Sequence, residues 1–170
     1  MNKKLIIITA VIGVLILSIF GVLSYVQNMM EALPKKAESF LYDNKDKLNE
    51  ILEYCFENDI DYISDGKHHN KAVVKLYTVN GYYVYAHKDI SDGDIKKLTE
   101  MLYLCKNNNI TKIYPDIDSD DYGSFTMSYF LAATGIQYWE KPKPLEEIKE
   151  ENYSENAWYV DDNWVIIEYD

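Results

Sequence analysis

Arginine is absent from this 170-residue chain, and lysine supplies all 17 of its basic side chains. The guanidinium group is the one that binds phosphates and guanine edges through two parallel hydrogen bonds, so the sequence lacks the usual means of reading nucleic acid. The 28 acidic residues bring the net charge to −11, which also opposes binding to a polyanion. We therefore expect no nucleic-acid partner. Lysine-only usage with abundant Asn, Ile and Tyr is typical of an AT-rich bacterial genome.

Several catalytic signatures are missing as well. The chain contains no G-x-S-x-G, no H-E-x-x-H and no glycine-rich phosphate loop. It has only two Cys and three His, and their spacing does not match a zinc site. The sequence therefore predicts neither a catalytic residue nor a cofactor, and a non-enzymatic role is the leading hypothesis.

A long stretch without charge, from Leu5 to Val26, is the most informative segment that is present. As a helix rising about 1.5 Å per residue it would be about 33 Å long, close to the ~30 Å hydrocarbon thickness of a bilayer. Fifteen of its residues are Leu, Ile, Val or Phe, which favours membrane insertion by about 5 to 9 kcal/mol. Residues 5–26 are therefore predicted to cross the lipid bilayer as a single helix.

The charges flanking this stretch predict its orientation. Lys3 and Lys4 precede it, whereas the first residues after it, 27–33, carry only Glu31. The positive-inside rule then places residues 1–4 in the cytoplasm and the rest of the chain outside, as a single-pass protein of the cell membrane. A cleaved signal peptide is the competing interpretation, but its apolar region is normally about 7 to 15 residues long. We therefore predict an uncleaved signal-anchor.

After a juxtamembrane segment at 27–36, residues 37–170 are predicted to form one extracytoplasmic domain. An amphipathic helix is expected from Pro34 to Glu57, and it follows the uncharged stretch so closely that one long, bent rod is an alternative to two separate helices. Asn80 and Gly81 predict a type I′ turn between strands 72–79 and 82–87. Ser91 is a good N-cap for a second helix that continues to residue 106.

The remaining patterns complete an α+β fold. Strands are predicted at 110–114, 124–132 and 136–140, with a turn at Thr134-Gly135, and a C-terminal hairpin at 157–160 and 164–169. A short helix is expected at 145–150. The predicted architecture is an antiparallel sheet of about six strands with two main amphipathic helices on one face.

Residues 48–63 and 98–113 resemble each other without a gap, at an offset of 50 positions. This similarity suggests two duplicated helix-plus-meander units, at 37–90 and 91–141, although convergence of two helix ends is an alternative. Cys55 and Cys105 occupy the same place in the two units. If the helices lie side by side, the two Cα atoms would be about 8 to 10 Å apart, too far for a disulfide. We therefore expect two buried free thiols.

Four carboxylates, at Asp116, Asp118, Asp120 and Asp121, resemble the start of a calcium loop. The EF-hand pattern fails at its twelfth position, which is Met127 rather than Glu. These residues are therefore only a weak calcium candidate, and a solvated acidic loop is the ordinary interpretation.

The chain is rich in aromatic residues, with 16 Tyr and 3 Trp. Such side chains are common at contact surfaces because they bury a large rigid area and keep a polar edge. Strand alternation therefore predicts a partner surface formed by Tyr83, Tyr85, Trp139, Trp158 and Trp164. The alternative is that the tyrosine hydroxyls on one face simply reach water.

Taken together, the patterns predict a membrane-tethered extracytoplasmic binding or interaction module with a protein partner on the outer face. One alternative is an immunity-type inhibitor that neutralises a toxin or hydrolase through an acidic surface. A second alternative is a cell-surface hydrolase.

Overall fold

The computed structural model describes residues 3–66, 75–116, 122–129, 132–154 and 156–169. Its elements, in chain order, are α1 (Lys3–Glu57), β1 (Ile60–Ser64), β2 (Lys75–Val79), β3 (Tyr82–Ala86), α2 (Asp92–Asn107), β4 (Ile110–Pro115), β5 (Tyr122–Tyr129), β6 (Ala132–Trp139), α3 (Leu145–Asn152), β7 (Ala157–Tyr159) and β8 (Trp164–Tyr169). The strands form one antiparallel sheet in the order β2-β3-β1-β4-β5-β6-β8-β7. The α+β class is confirmed, but the sheet has eight strands rather than about six.

The first helix, α1, is continuous over 55 residues and contains Pro34. Residues 27–36 are therefore part of this helix, which is the single long rod that the sequence allowed rather than a new helix beginning at Pro34. Every large apolar side chain from Val11 to Leu23 is exposed, by 47 to 73%. From Leu33 onward the same helix buries one side in the domain core. By length and composition, the apolar half of α1 suits a membrane anchor or a signal sequence.

The main core lies between the sheet and the pair α1 and α2. Leu48 and Leu52 of α1 and Leu98 and Leu102 of α2 are at most 2% exposed there. The start of α2 follows the predicted chemistry, because the Ser91 hydroxyl accepts a hydrogen bond from the Asp94 backbone N–H at 3.2 Å. The N-cap therefore fixes where the chain turns from β3 into α2.

The third helix, α3, lies on the opposite side of the sheet. Its Ile148 packs in a second, smaller cluster with Ala157, Val165 and Ile167 of the last two strands. These strand residues alternate with Trp164 and Ile166, which belong to the main core. The sheet is therefore covered on both faces at its β6-β8-β7 end, whereas the sequence predicted helices on one face only.

The turn between β5 and β6 differs from its predicted position at Thr134-Gly135. Tyr129 pairs with Ala132 across the hairpin, which places Thr134 and Gly135 inside β6. A Cβ atom at Gly135 would lie 2.6 Å from the Tyr169 hydroxyl oxygen. Gly135 is therefore explained by close packing against a distant side chain rather than by a turn.

The hairpin predicted at Asn80-Gly81 is confirmed. Val79 pairs with Tyr82, and the two residues between them have positive φ angles, 51° at Asn80 and 88° at Gly81. These are the angles that a type I′ turn requires.

Candidate functional site

The five aromatic residues predicted as a partner surface do not lie together. Trp164 is completely buried in the main core and Tyr85 is only 3% exposed, so neither offers an exposed contact. Trp158 is half-buried against the main core, on the side of the sheet that faces α1. Tyr83 and Trp139, both half-buried, lie on the other face. The predicted surface is thus divided between the two sides of the sheet.

Trp139 helps to hold α3 against the sheet rather than presenting its ring to a partner protein. Its ring centroid is 4.2 Å from that of Tyr122, and the Lys143 ammonium lies 4.3 Å from it on the ring face. Trp139 Nε1 donates to Gln137 Oε1 at 3.3 Å, and Gln137 in turn donates to Asn152 of α3 at 2.8 Å. Burial raises the pKa of Tyr122 to about 12, as expected for a phenol kept neutral in this cluster.

Most of the calcium candidate falls outside the described residues. Asp118, Asp120 and Asp121 belong to the segment 117–121, and only Asp116 is described. Its backbone N–H donates to the Tyr122 carbonyl at 2.9 Å. Within the described parts of the chain, no group of three or more His, Cys, Asp or Glu side chains is arranged to hold a metal ion.

Part of the acidic C-terminal region is paired with lysine. Lys143 Nζ lies 2.8 Å from Glu151 and 3.4 Å from Glu147, and Lys149 lies 3.1 Å from Glu146. Each of these pairs is at least partly exposed, so its contribution to stability is small. The pairing matters more for recognition. Because a lysine lies beside each of these carboxylates, they do not present an unscreened acidic surface to a partner.

A groove lies between α1 and α2 on the helical side of the domain. The Tyr54 hydroxyl donates to the Asp94 carbonyl at 3.1 Å, and one turn earlier in α1, Glu50 lies 3.8 Å from Lys97. The contacts therefore move forward along α2 as they move backward along α1, so the two helices are antiparallel. The groove has a volume of about 570 Å³. Its lining residues are Lys47, Glu50, Ile51, Lys97, Glu100, Met101, Tyr103, Leu104, Asn107 and Asn108.

Apolar and charged side chains have separate places in this groove. Ile51 is buried and Met101 and Leu104 are half-buried, so these three form an apolar floor. Tyr103 is 62% exposed at the rim, where its ring can cover an incoming side chain. A groove of about 570 Å³ with an apolar floor and a polar rim is typical of a site that binds an anchor side chain or a small apolar ligand.

The rim of the groove is electrostatically balanced. Lys97 and Glu50 lie 3.8 Å apart on opposite helices, and Lys47 and Glu100 add one charge of each sign to the lining. Lys97 also lies over the Tyr54 ring, with its Nζ 5.1 Å from the centroid. Burial, with a smaller effect of the Asp94 carboxylate, raises the pKa of Tyr54 to about 12, so this hydroxyl acts as a neutral donor.

The groove's lining combines side chains of several chemical types. Its described side chains are amines, carboxylates, amides, one phenol and apolar groups, without Ser, Cys or His.

Sequence reasoning missed this groove because the aromatic residues of the sheet were more conspicuous. One signal was present, since Tyr103 lies beside the apolar stripe of α2 that contains Leu98, Leu102 and Cys105. A large aromatic side chain just outside a buried stripe marks a place where the helix surface remains open.

Comparison with protein-family models, with curated proteins and with solved structures finds no match to this chain.

Proposed function

We propose that this protein is a membrane-tethered interaction module of a bacterial cell, with its N-terminus in the cytoplasm and its α+β domain outside. The observation that carries the proposal is the dual use of α1. A single 55-residue helix exposes its large apolar side chains from Val11 to Leu23 and then becomes a core element of the domain. Anchor and domain are therefore one rigid element rather than two parts joined by a flexible linker.

The exposed part of α1 suits a bilayer in its polar groups as well. The Ser18 hydroxyl donates to the Val14 carbonyl at 2.9 Å, so its hydrogen bond is made inside the helix. This matters because an unsatisfied polar group in hydrocarbon costs several kcal/mol, on the order of 2 to 7. The estimated insertion energy of about −5 to −9 kcal/mol therefore remains available for anchoring.

The groove between α1 and α2 supplies the partner site of this proposal. Its balanced rim of Lys47, Glu50, Lys97 and Glu100 and its apolar floor suit a protein segment that inserts an apolar anchor residue. The immunity-type inhibitor requires an acidic surface against a basic partner, which this rim does not provide. The hydrolase alternative has no catalytic arrangement in the groove to support it.

Charge insertion into α1 tests the tether. Leu15→Lys combined with Leu17→Lys should cost about 5 to 7 kcal/mol of insertion energy, enough to offset most of the hydrophobic gain. We expect this variant to leave the membrane fraction that resists alkaline carbonate extraction. The matched control is Tyr42→Lys combined with Tyr103→Lys, which charges two exposed positions of the domain, at 66% and 62% exposure. A double variant in α1 that stays in the membrane would contradict the proposal.

Site-specific photo-crosslinking in living cells tests the groove. A photoreactive residue at position 103 should form a covalent adduct with a partner protein, and the adduct should disappear in Met101→Glu, which charges the groove floor. The control position is Tyr153, which is 93% exposed but lies after α3. Equal adducts from positions 103 and 153 would contradict the groove assignment. An adduct that is lost only as salt rises would favour the inhibitor instead.

A further inference from the structure

One end of the sheet lies close to the apolar half of α1. Met30 and Pro34 of α1 line a small pocket together with Ala133, Glu168 and Tyr169. Ala133 is near the start of β6, and Tyr169 is the last residue of β8. We refer to this end of the sheet, at the start of β6 and the end of β8, as the anchor end.

Strand pairing places several other residues at the anchor end. Ser128 pairs with Ala133 across the β5-β6 hairpin, and its backbone N–H donates to the Asn109 carbonyl at 2.9 Å. Because neighbouring strands are antiparallel, the start of β4 and the end of β1 lie there too. The Asn80-Gly81 turn between β2 and β3 also lies at this end.

The membrane tether proposed above would bring the part of the anchor end next to α1 close to the bilayer surface. Val26, the last residue of the uncharged stretch, lies seven helical steps before Leu33, which is only 4% exposed in the core. At about 1.5 Å per residue these span about 10 Å. The headgroup layer on one side of a bilayer is about 5 to 7 Å thick. With residues 5–26 in a bilayer, the part of the anchor end next to α1 therefore lies within a few ångströms of the headgroups.

A polar cleft of about 350 Å³ opens at this end. Lys106 Nζ lies in it and donates to the Asn80 carbonyl at 3.2 Å. The Asn80 side-chain nitrogen is buried without a hydrogen-bond partner, so it is a donor that lacks an acceptor. The hydroxyls of Thr111 and Ser128 lie 2.9 Å apart in the same lining, and Asp65 contributes a carboxylate. The cleft thus offers donors for an oxyanion and one acceptor for a cation.

Resting on the membrane tether proposed above, we propose that the anchor end lies on the bilayer surface and that its cleft binds the headgroup of a zwitterionic phospholipid. Lys106 donates to the phosphate oxygens and the Asp65 carboxylate accepts from the ammonium group. The Asn80 side-chain nitrogen, buried in the unbound protein, turns towards the cleft to donate to the phosphate as well. The net charge of −11 selects against anionic lipids, because a strongly acidic chain is repelled from a negative surface.

Fluorescence quenching tests the orientation, with the full chain reconstituted in phosphatidylethanolamine and phosphatidylcholine vesicles. Asn107→Cys and Glu57→Cys provide a matched pair, because both are exposed final residues of a helix and they lie at opposite ends of the sheet. Each carries a bimane label, and some lipids carry a nitroxide on the headgroup. We expect quenching at position 107 to exceed that at position 57 several-fold. Equal quenching in vesicle-bound protein would overturn the docking proposal, whereas protein that fails to bind vesicles would overturn the tether itself.

Nuclear magnetic resonance in detergent tests the headgroup cleft. Glycerophosphoethanolamine should shift the side-chain amide signal of Asn80, and Lys106→Gln should weaken the response several-fold. The side-chain amide of Asn58 is the control, because it already donates to the Tyr54 carbonyl at 2.9 Å. Absence of a shift at Asn80, or an equal response to inorganic phosphate alone, would overturn the headgroup assignment.

Discussion

Ile63 and Ile113 lie directly opposite each other on the neighbouring antiparallel strands β1 and β4. They are separated by 50 positions, the same offset as the similarity between residues 48–63 and 98–113. A residue that pairs with its own counterpart marks a local two-fold axis perpendicular to the sheet. The two similar segments are therefore related by a rotation about this pair, which explains why α1 and α2 are antiparallel.

The two helix ends repeat in detail. Asn58 and Asn108 each donate a side-chain hydrogen bond to the carbonyl four residues earlier, at 2.9 and 3.0 Å. The next residues, Asp59 and Asn109, have φ angles of 48° and 57°. Each following strand then has a register shift two residues wide, starting at residue 60 and at residue 110. The similarity in sequence thus corresponds to one helix-turn-strand structure used twice.

The hairpins that follow differ in their placement. In the second unit β4, β5 and β6 are neighbours in chain order, as in a meander, whereas in the first unit β3 lies beside β1 and β2 is at the edge. Only residues 91–141 have the predicted meander order. A gene duplication remains a prediction.

The first testable prediction concerns orientation. A reporter enzyme that works only outside the cytoplasm should be active when fused to the C-terminus of the full chain, because Lys3 and Lys4 favour a cytoplasmic N-terminus. The same fusion with a reporter that works only inside is the control and should be silent. Activity of the internal reporter would reverse the predicted topology.

The Asn80-Gly81 turn gives a stability prediction. Gly81 has a φ angle of 88°, so Gly81→Val should lower the free energy of unfolding by more than about 1 kcal/mol. Gly93→Ala, within the first turn of α2, is the control, since a Cβ there lies 3.7 Å from the nearest atom, Ser91 Oγ. It should be neutral or stabilising by up to about 1 kcal/mol. Denaturant unfolding of both variants measures the difference, and equal midpoints would contradict the turn assignment.

The features that could be predicted from the sequence are those that local chemistry specifies. The Ser91 N-cap, the Asn80-Gly81 turn and the C-terminal hairpin each follow from a few adjacent residues. Gly135 was misinterpreted because the side chain that requires it, Tyr169, is 34 positions away. The complete burial of Trp164 likewise depends on which face of the sheet α1 covers. Such long-range contacts leave no local pattern in a single sequence, and the α1-α2 groove was missed for the same reason.

Close packing at Gly123 gives a second stability prediction. A Cβ atom at this position would lie 2.5 Å from Leu52 Cδ2 and 3.1 Å from its Cγ, so Gly123→Ala should cost about 1 to 3 kcal/mol. In a Leu52→Ala background the added methyl group has room, and its cost should largely vanish. Gly66→Ala is the control, because the nearest atom to its Cβ is 4.0 Å away. A double-mutant cycle from denaturant unfolding measures the coupling, and additive effects would contradict this packing.

The two cysteines give a prediction about chemical labelling. Cys55 and Cys105 are both unpaired and completely buried. A thiol reagent should therefore modify neither in the native protein and both after denaturation without reductant, because thiols are accessible only on unfolding. Mass spectrometry counts the adducts. Failure to label the denatured, unreduced chain would indicate a Cys55–Cys105 disulfide.

The same thiols predict a loss of stability at alkaline pH. Burial raises the pKa of Cys105 from 9.0 to about 12, and burial with the charge of Cys105 raises the pKa of Cys55 even further. Above pH 9.0 the unfolded chain releases thiol protons that the folded chain retains, so the free energy of unfolding must fall as pH rises towards the folded pKa. Each thiol contributes up to about 1.4 kcal/mol per pH unit in this range.

The variant Cys105→Ala tests this slope. It should lower the free energy of unfolding at neutral pH through the lost packing. Between pH 9 and pH 11 its decline should be shallower than that of the parent protein, by about 1.4 kcal/mol per pH unit. Urea unfolding at a series of pH values measures both slopes, and parallel curves for the two proteins would show that the Cys105 thiol titrates alike in the folded and unfolded states.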